Sequence, residues 1–340
     1  MIHPAAHQLR PGDFVQVRNH ADILATLDAD GTLDGVVFME EMLPLVGRRF
    51  RVFRRLEKTC VEGSPFGIGE FHNNDVVLLE GIRCPGTCHD QCARSCMIFW
   101  KESWLSKVGA DEHADDEVQD PAAAEALRAR LRAPVKDGKY FCQSTNLIHA
   151  TRGLSGMERL KKVISDVRVK TYTVPQALLL VLRPLIAKAL KPFVPRIPKT
   201  DRKKTPKFSS GLQPGDLIEV KSIPEIAETL DVNGQNRGLQ WSMDLAHYSG
   251  RRFRVAKRLE HMIVEYNGKM MNVSDTVLLE GASCPCKYVI GGCPRADLIY
   301  WREIWLRKVE DAPTYQPPAI EDLLPRKCAK EPANINAKMP

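Results

Sequence analysis

Residues 9–60 of this 340-residue chain can be laid on residues 212–263 at a constant offset of 203 without a gap, and that repetition limits the fold more than any other feature. LRPGDFVQV (9–17) returns as LQPGDLIEV (212–220), ATLDADGTLDGVVF (25–38) as ETLDVNGQNRGLQW (228–241), and GRRFRVFRRLE (47–57) as GRRFRVAKRLE (250–260). After a small shift DVVLLEG (75–81) pairs with DTVLLEG (275–281), and FWKESWLSKV (99–108) with YWREIWLRKV (300–309). Agreement of this length is not chance. The chain holds two homologous domains of about one hundred residues each. The expected division is a first repeat at 1–109, a connecting region at 110–210, a second repeat at 211–311 and a tail at 312–340.

Within each copy the pattern is strand and turn. Val15 and Val17 alternate behind a Pro-Gly-Asp turn, Phe50, Val52 and Leu56 alternate with arginines, and Val76 to Leu79 form a short apolar run. The segment ADILATLDADG reads instead as a turn or two of helix that stops at Gly31. No repeated helical crossover is available to join parallel strands, so the strands are expected to be antiparallel. The fold class that follows is mainly β with a helical insert: two homologous Src-homology-3-like small barrels joined by a helical and basic linker.

Between the repeats, ADEHADDEVQD (110–120) is acidic, AAAEALRARLRA (122–133) is a strong helix former, and MERLKKVISDVRV (157–169) reads as an amphipathic helix. The formal net charge of +7 is concentrated in one stretch, Lys188 to Lys207. The apolar run ahead of it is broken by Arg183 and Pro184 and is too short and too charged to span a bilayer. It is expected to pack the two barrels together, with weak association at a membrane surface as the alternative.

The stretch CPGTCHDQCARSC places Cys84, Cys88, Cys92 and Cys96 at four-residue intervals and adds His89. The amino terminus has no basic start, apolar run or small-residue cleavage site, which makes the cytoplasm the expected compartment. Thiols stay reduced there, so clustered cysteines favour metal ligation over disulfides. Zinc takes about four sulfur or nitrogen ligands in a tetrahedron. On one helix Cys88 and Cys96 would be about 12 Å apart, too far to share an ion. The segment must therefore bend if it supplies three ligands, and Pro85-Gly86 permits that. Zinc is the expected metal, with an iron-sulfur cluster as the alternative. Cys60 joins the site only if its loop folds back. The second copy keeps Cys284, Cys286 and Cys293, has no counterpart of Cys96 and carries Ile263 where the first has Cys60; His261 is a candidate for its fourth position. Cys142 lies outside both copies and reads as a core residue, or as a nucleophile with His149 on a shared helix face.

The motifs LxPGDxVxV (9–17), LDxxGxLxGxxFxxEM (27–42), GRRFRVxRRxxKTC (47–60), LEGxRC (79–84), the run of Cys84, His89, Cys92 and Cys96, and FWKExWL (99–105) together resemble a family of duplicated, cysteine-rich bacterial proteins. The resemblance implies that His89, Cys92 and Cys96 belong to the pattern and that Cys88 is an extra thiol. The chain departs from it at Glu57, where the family has histidine. No activity comes with the resemblance.

Three functions follow. The first is a metal-binding accessory or interaction protein of a biosynthetic pathway, whose partner is another protein. No phosphate loop, dinucleotide fingerprint or catalytic triad argues against it. The second is a metal- or iron-sulfur-dependent enzyme using the cysteine sites. The third is nucleic-acid binding through arginines 48, 49, 51, 54 and 55 and their counterparts 251, 252, 254 and 258, although arginines alternating along a strand more often form its solvated face.

Overall fold

The fold was analysed in a computed structural model that describes residues 9–56, 58–109, 120–168, 173–190, 202–284 and 294–310. In the first repeat five antiparallel strands form one curled sheet in the order Met97–Lys101, Val76–Arg83, Arg49–Arg55, Phe14–Val17, Leu105–Val108. The second repeat reproduces that order with Leu298–Arg302, Thr276–Ser283, Arg252–Arg258, Leu217–Val220 and Leu306–Lys308. Even the irregularity repeats. The register slips between Val52 and Arg54 in one copy and between Val255 and Lys257 in the other. An extra residue at that point sharpens the local twist and bends the sheet around its own apolar face.

Alternation places Val15, Val17, Phe50, Val52 and Leu56 in the core, as their spacing predicts. The core is centred on indoles. Phe38 meets Trp100 and Trp104 edge-on in the first repeat, and Trp241 meets Trp301 and Trp305 in the second. The short helix His20–Thr26 is capped by Asn19, whose side chain accepts the amide of Asp22. It ends before Gly31, because Asp28 takes the amides of Asp30 and Thr32 into a turn of its own. Thr26 in turn accepts the indole N–H of Trp104 at 2.9 Å, and Thr229 accepts that of Trp305 at 3.0 Å.

One buried ion pair recurs. Arg55 donates to Glu102, which also accepts the amide of Leu9. Arg258 donates to Glu303 at 3.0 Å, and Glu303 accepts the amides of Ser210 and Gly211. Each pair fastens the start of a repeat to the turn before its last strand.

The connecting region contributes helices Pro121–Arg130, Gly156–Arg168 and Val174–Leu190. The last differs from expectation. It packs on Gly156–Arg168 and leaves Leu178, Leu179 and Leu185 exposed, while the repeats meet elsewhere. Among the described residues no helix is long and apolar enough to cross a membrane.

A capping box starts Gly156–Arg168: Glu158 accepts the amide of Ser155 at 2.8 Å, and the Ser155 hydroxyl accepts the amide of Glu158. The Ser155 amide and hydroxyl, with Arg152, hold the Glu158 carboxyl down at about 2. An ordinary glutamate titrates near about 4.3. The cap therefore supports the helix fully above that value and is lost as pH falls toward 2. A carboxyl NMR titration is expected to place Glu158 near 2, and a midpoint above 4 would show that the cap does not form.

Candidate metal centre

The cysteine run is the connection between two paired strands, Val76–Arg83 and Met97–Lys101. Arg83 sits opposite Met97, and the Cys84 amide donates to the Cys96 carbonyl at 2.7 Å. The two outer cysteines therefore face each other at the neck of a hairpin. Beyond the neck the chain folds back on itself. Asp90, Gln91 and Ser95 take positive φ, and turns join His89 to Gly86 and Cys92 to His89. Gly86 has φ +77, and a Cβ there would run into the Cys92 carbonyl. Only glycine lets the returning backbone come so close.

This bend brings Cys84, Cys92 and Cys96 to the wall of one cavity of about 30 Å³. A fourth thiol completes the wall, and it is Cys142 from the connecting region. Gln143 puts it there. Its side-chain amide donates to the carbonyls of Val37 and Phe99 and accepts the Phe99 amide at 2.7 Å, so the segment is stitched to the first repeat. A turn closed by the Asn146 amide on the Cys142 carbonyl fixes the thiol.

Pairing Cys142 with His149 is corrected by this geometry. The helix Leu147–Ala150 begins after Cys142, and His149 is exposed while Cys142 lines an interior wall.

Behind Cys84 lies Glu41, a residue the sequence reading did not single out. Its one signal is the glutamate of the FxxEM motif. Fully buried, its carboxylate accepts from His89 Nδ1 at 2.6 Å and from the Cys88 amide at 3.3 Å, with Cys84 Sγ at 3.9 Å. Glu41, Cys84 and His89 have donor atoms within 4.8 Å of one another, the one such group among the described residues. His89 Nε2 faces the Phe141 carbonyl at 3.2 Å. Burial works against a charged imidazole, but Glu41 and the Phe141 carbonyl outweigh it and hold the His89 pKa above its usual value. Burial likewise opposes the Glu41 carboxylate, and His89 overrides it to hold that pKa low.

The thiols show the opposite strain. Burial first, then Glu41 and the neighbouring sulfurs, pushes Cys84 well up, and burial pushes Cys142 up to about 12. Acidic groups crowded in this way are what a bound cation relieves. The fit to a metal rests on that crowding and on Glu41 Oε2, a buried oxygen with no hydrogen-bond partner. No family model, curated protein or solved structure matches the chain.

The second repeat closes the cavity. Ile263 lines it and donates its amide to Cys92 Sγ at 3.4 Å, while the Ala93 amide donates to the His261 carbonyl at 2.9 Å. Lys257 donates to the Pro85 carbonyl. Beside Cys96 sits a buried charge cluster in which Arg94 and Arg295 both pair with Glu265. Burial raises the Cys96 pKa, and these two guanidiniums pull against it. Arg295 reaches across the boundary to the Cys60 carbonyl and the Ser144 hydroxyl.

The other expected ligands lie apart. The strand of Cys60 breaks after Arg55; Thr59–Cys60 pairs instead with Ile68–Phe71, and Cys60 packs on Ile68 and Leu154 away from the cavity. Cys88 is buried within the loop but does not line the cavity. Cys284 repeats the neck geometry, donating its amide to the carbonyl of Asp297, which stands where the first repeat has Cys96. Neither Cys284 nor His261 joins a described ligand group. Cys286, Cys293 and Glu57 lie outside the described residues.

The strand arginines are engaged within the chain. Arg48, Arg49, Arg51 and Arg54 donate to carbonyls of Pro44, Gly109, Gly12 and Pro294, and Arg254 and Arg258 to those of Gly215 and Leu212. Arg252 pairs with Glu219, and Arg251 lies over the Tyr248 and Phe253 rings.

Proposed function

We propose that the chain is a zinc-binding accessory or interaction protein in which one ion clamps the first repeat to the connecting region. The observation that carries this reading is the convergence of Cys84, Cys92, Cys96 and Cys142 on one cavity from two separate stretches of sequence. Four thiolates match a closed structural zinc site. No three of these sulfurs lie within 4.8 Å of one another, so ligation requires them to turn inward by side-chain rotation about χ1, with Glu41 and His89 as the outer hydrogen-bonded support. Arg94 and Arg295 offset the negative charge that four thiolates leave around a divalent ion.

Size favours a structural ion over a catalytic centre. A cavity of about 30 Å³ has room for an ion or a water or two, whereas organic ligands occupy pockets of about 300–1,000 Å³. It also favours a single ion over an iron-sulfur cluster, which is several times larger. The curled sheets are read, in the same proposal, as Src-homology-3-like barrels that present surfaces to a protein partner.

Elemental analysis of the purified protein is the test. One zinc per chain in a colourless protein is expected; a brown protein containing iron and sulfide, or one with no metal, overturns the reading.

A further inference from the structure

Each repeat has the same groove, and the described residues fill only that of the first. In the first repeat residues 143–153 occupy it. Leu147 and Ala150 enter the core, the Asn146 side chain donates to the Gly35 carbonyl at 2.7 Å, and Thr151–Gly153 adds a strand to the edge Ile68–Phe71, with Thr151 opposite Phe71. The fit is close. A Cβ on Gly35 would lie 2.6 Å from the His149 carbonyl oxygen and 2.8 Å from the Ala150 Cα.

By sequence and strand register the equivalent positions in the second repeat are Gly238 for Gly35, Met271 for Gly69, Val273 for Phe71 and Tyr300 for Phe99. Here a Cβ on Gly238, at the same φ of +79, meets nothing within 4 Å among the described residues. Met270–Asn272 pairs with His261–Ile263 alone among the described residues. Met271 is 44% exposed, where its counterpart Gly69 is buried under Thr151 and Arg152. Between Gly238 and Met271 lies a groove of about 430 Å³ walled by Leu239, Met262, Met271, Val273 and Tyr300.

We infer that this groove is a docking site for a peptide segment of a protein partner, of the chemistry that residues 143–153 display on the first repeat: an amide side chain, an apolar turn, then a β-strand. This rests on the interaction half of the function proposed above and not on the metal. The edge of Met270–Asn272 supplies main-chain hydrogen bonds for an added strand, and the apolar wall takes the turn. A small anionic ligand fits less well, because the guanidiniums at the groove are already engaged. Arg302 donates to the carbonyls of Asn236, Ser274 and Arg237, and Arg237 pairs with Asp275.

The chain provides its own probe. A fluorescent peptide with the sequence of residues 141–154, carrying Cys142→Ser, is titrated against the full-length protein and its anisotropy followed. Saturable one-to-one binding is expected. Met271→Glu, at an exposed position, and Gly238→Asn, which fills the space with a residue tolerant of positive φ, are each expected to weaken it at least ~10-fold. Absence of binding, or binding that neither variant weakens, overturns the inference. Zinc is measured on the same samples. A zinc-loaded protein that ignores the peptide sinks the groove and leaves the metal clamp standing, whereas a metal-free protein that binds it does the reverse.

Discussion

Cys92→Ala is expected to empty the metal centre and loosen the first repeat in one step. Its sulfur lines the cavity and accepts the Ile263 amide, so the substitution removes a ligand of the proposed zinc and a bond that closes the cavity from the second repeat. Structural zinc contributes about 10–16 kcal/mol in small zinc domains, as much as the whole stability of an ordinary domain of about 5–15 kcal/mol. Losing even a quarter of that lowers the unfolding midpoint by more than about 10 °C. Cys60→Ala is the matched control, since Cys60 packs on Ile68 and Leu154 away from the cavity. Calorimetry and metal content decide. A Cys92→Ala protein that loses zinc yet melts like the wild type shows that the ion is not structural. One that keeps a full equivalent of zinc removes Cys92 from the ligand set.

Arg295→Met is expected to cost about 3–5 kcal/mol and to separate the repeats, because breaking a buried pair strands the partner charge. Arg295 is 2% exposed, pairs with Glu265 and Asp297, and reaches the first repeat through the Cys60 carbonyl. Burial opposes its charge, and Asp297 and Glu265 outweigh it to hold the guanidinium ionised. Chemical denaturation measures the loss, and faster proteolysis of the connecting region reports the separation. A loss under about 1 kcal/mol would mean that the cluster is solvated and does not hold the boundary. Replacing Glu265 with leucine in the same chain is expected to recover part of the loss, since the stranded carboxylate is then gone.

Much of this was legible in the residues. The offset of 203 gave the two repeats, and the alternation of Val15, Val17, Phe50 and Val52 gave the buried face, because a strand's side-chain period is a property of the backbone itself. That the cysteine run has to bend to supply three ligands also followed from helix geometry, and Gly86 is where the chain turns. Sequence spacing failed at contacts between distant segments. Cys142 looked solitary because nothing near it in sequence is a ligand, and its place depends on Gln143 stitching the connecting region to Val37 and Phe99. Glu41 was hidden for a related reason. A glutamate in an apolar turn shows nothing of the histidine 48 positions away that makes its burial tolerable.

The sequence by itself determined the duplication, the antiparallel sheets and a cysteine run that has to bend if three of its residues are to hold one ion, all consequences of local periodicity and covalent geometry. The tertiary structure alone decided which thiols share a cavity and that the second repeat closes it. It also decided that residues 143–153 fill the groove of the first repeat while, among the described residues, none fills that of the second. Those outcomes depend on which surfaces come together after the strands have formed, and packing between segments far apart in sequence leaves no local trace.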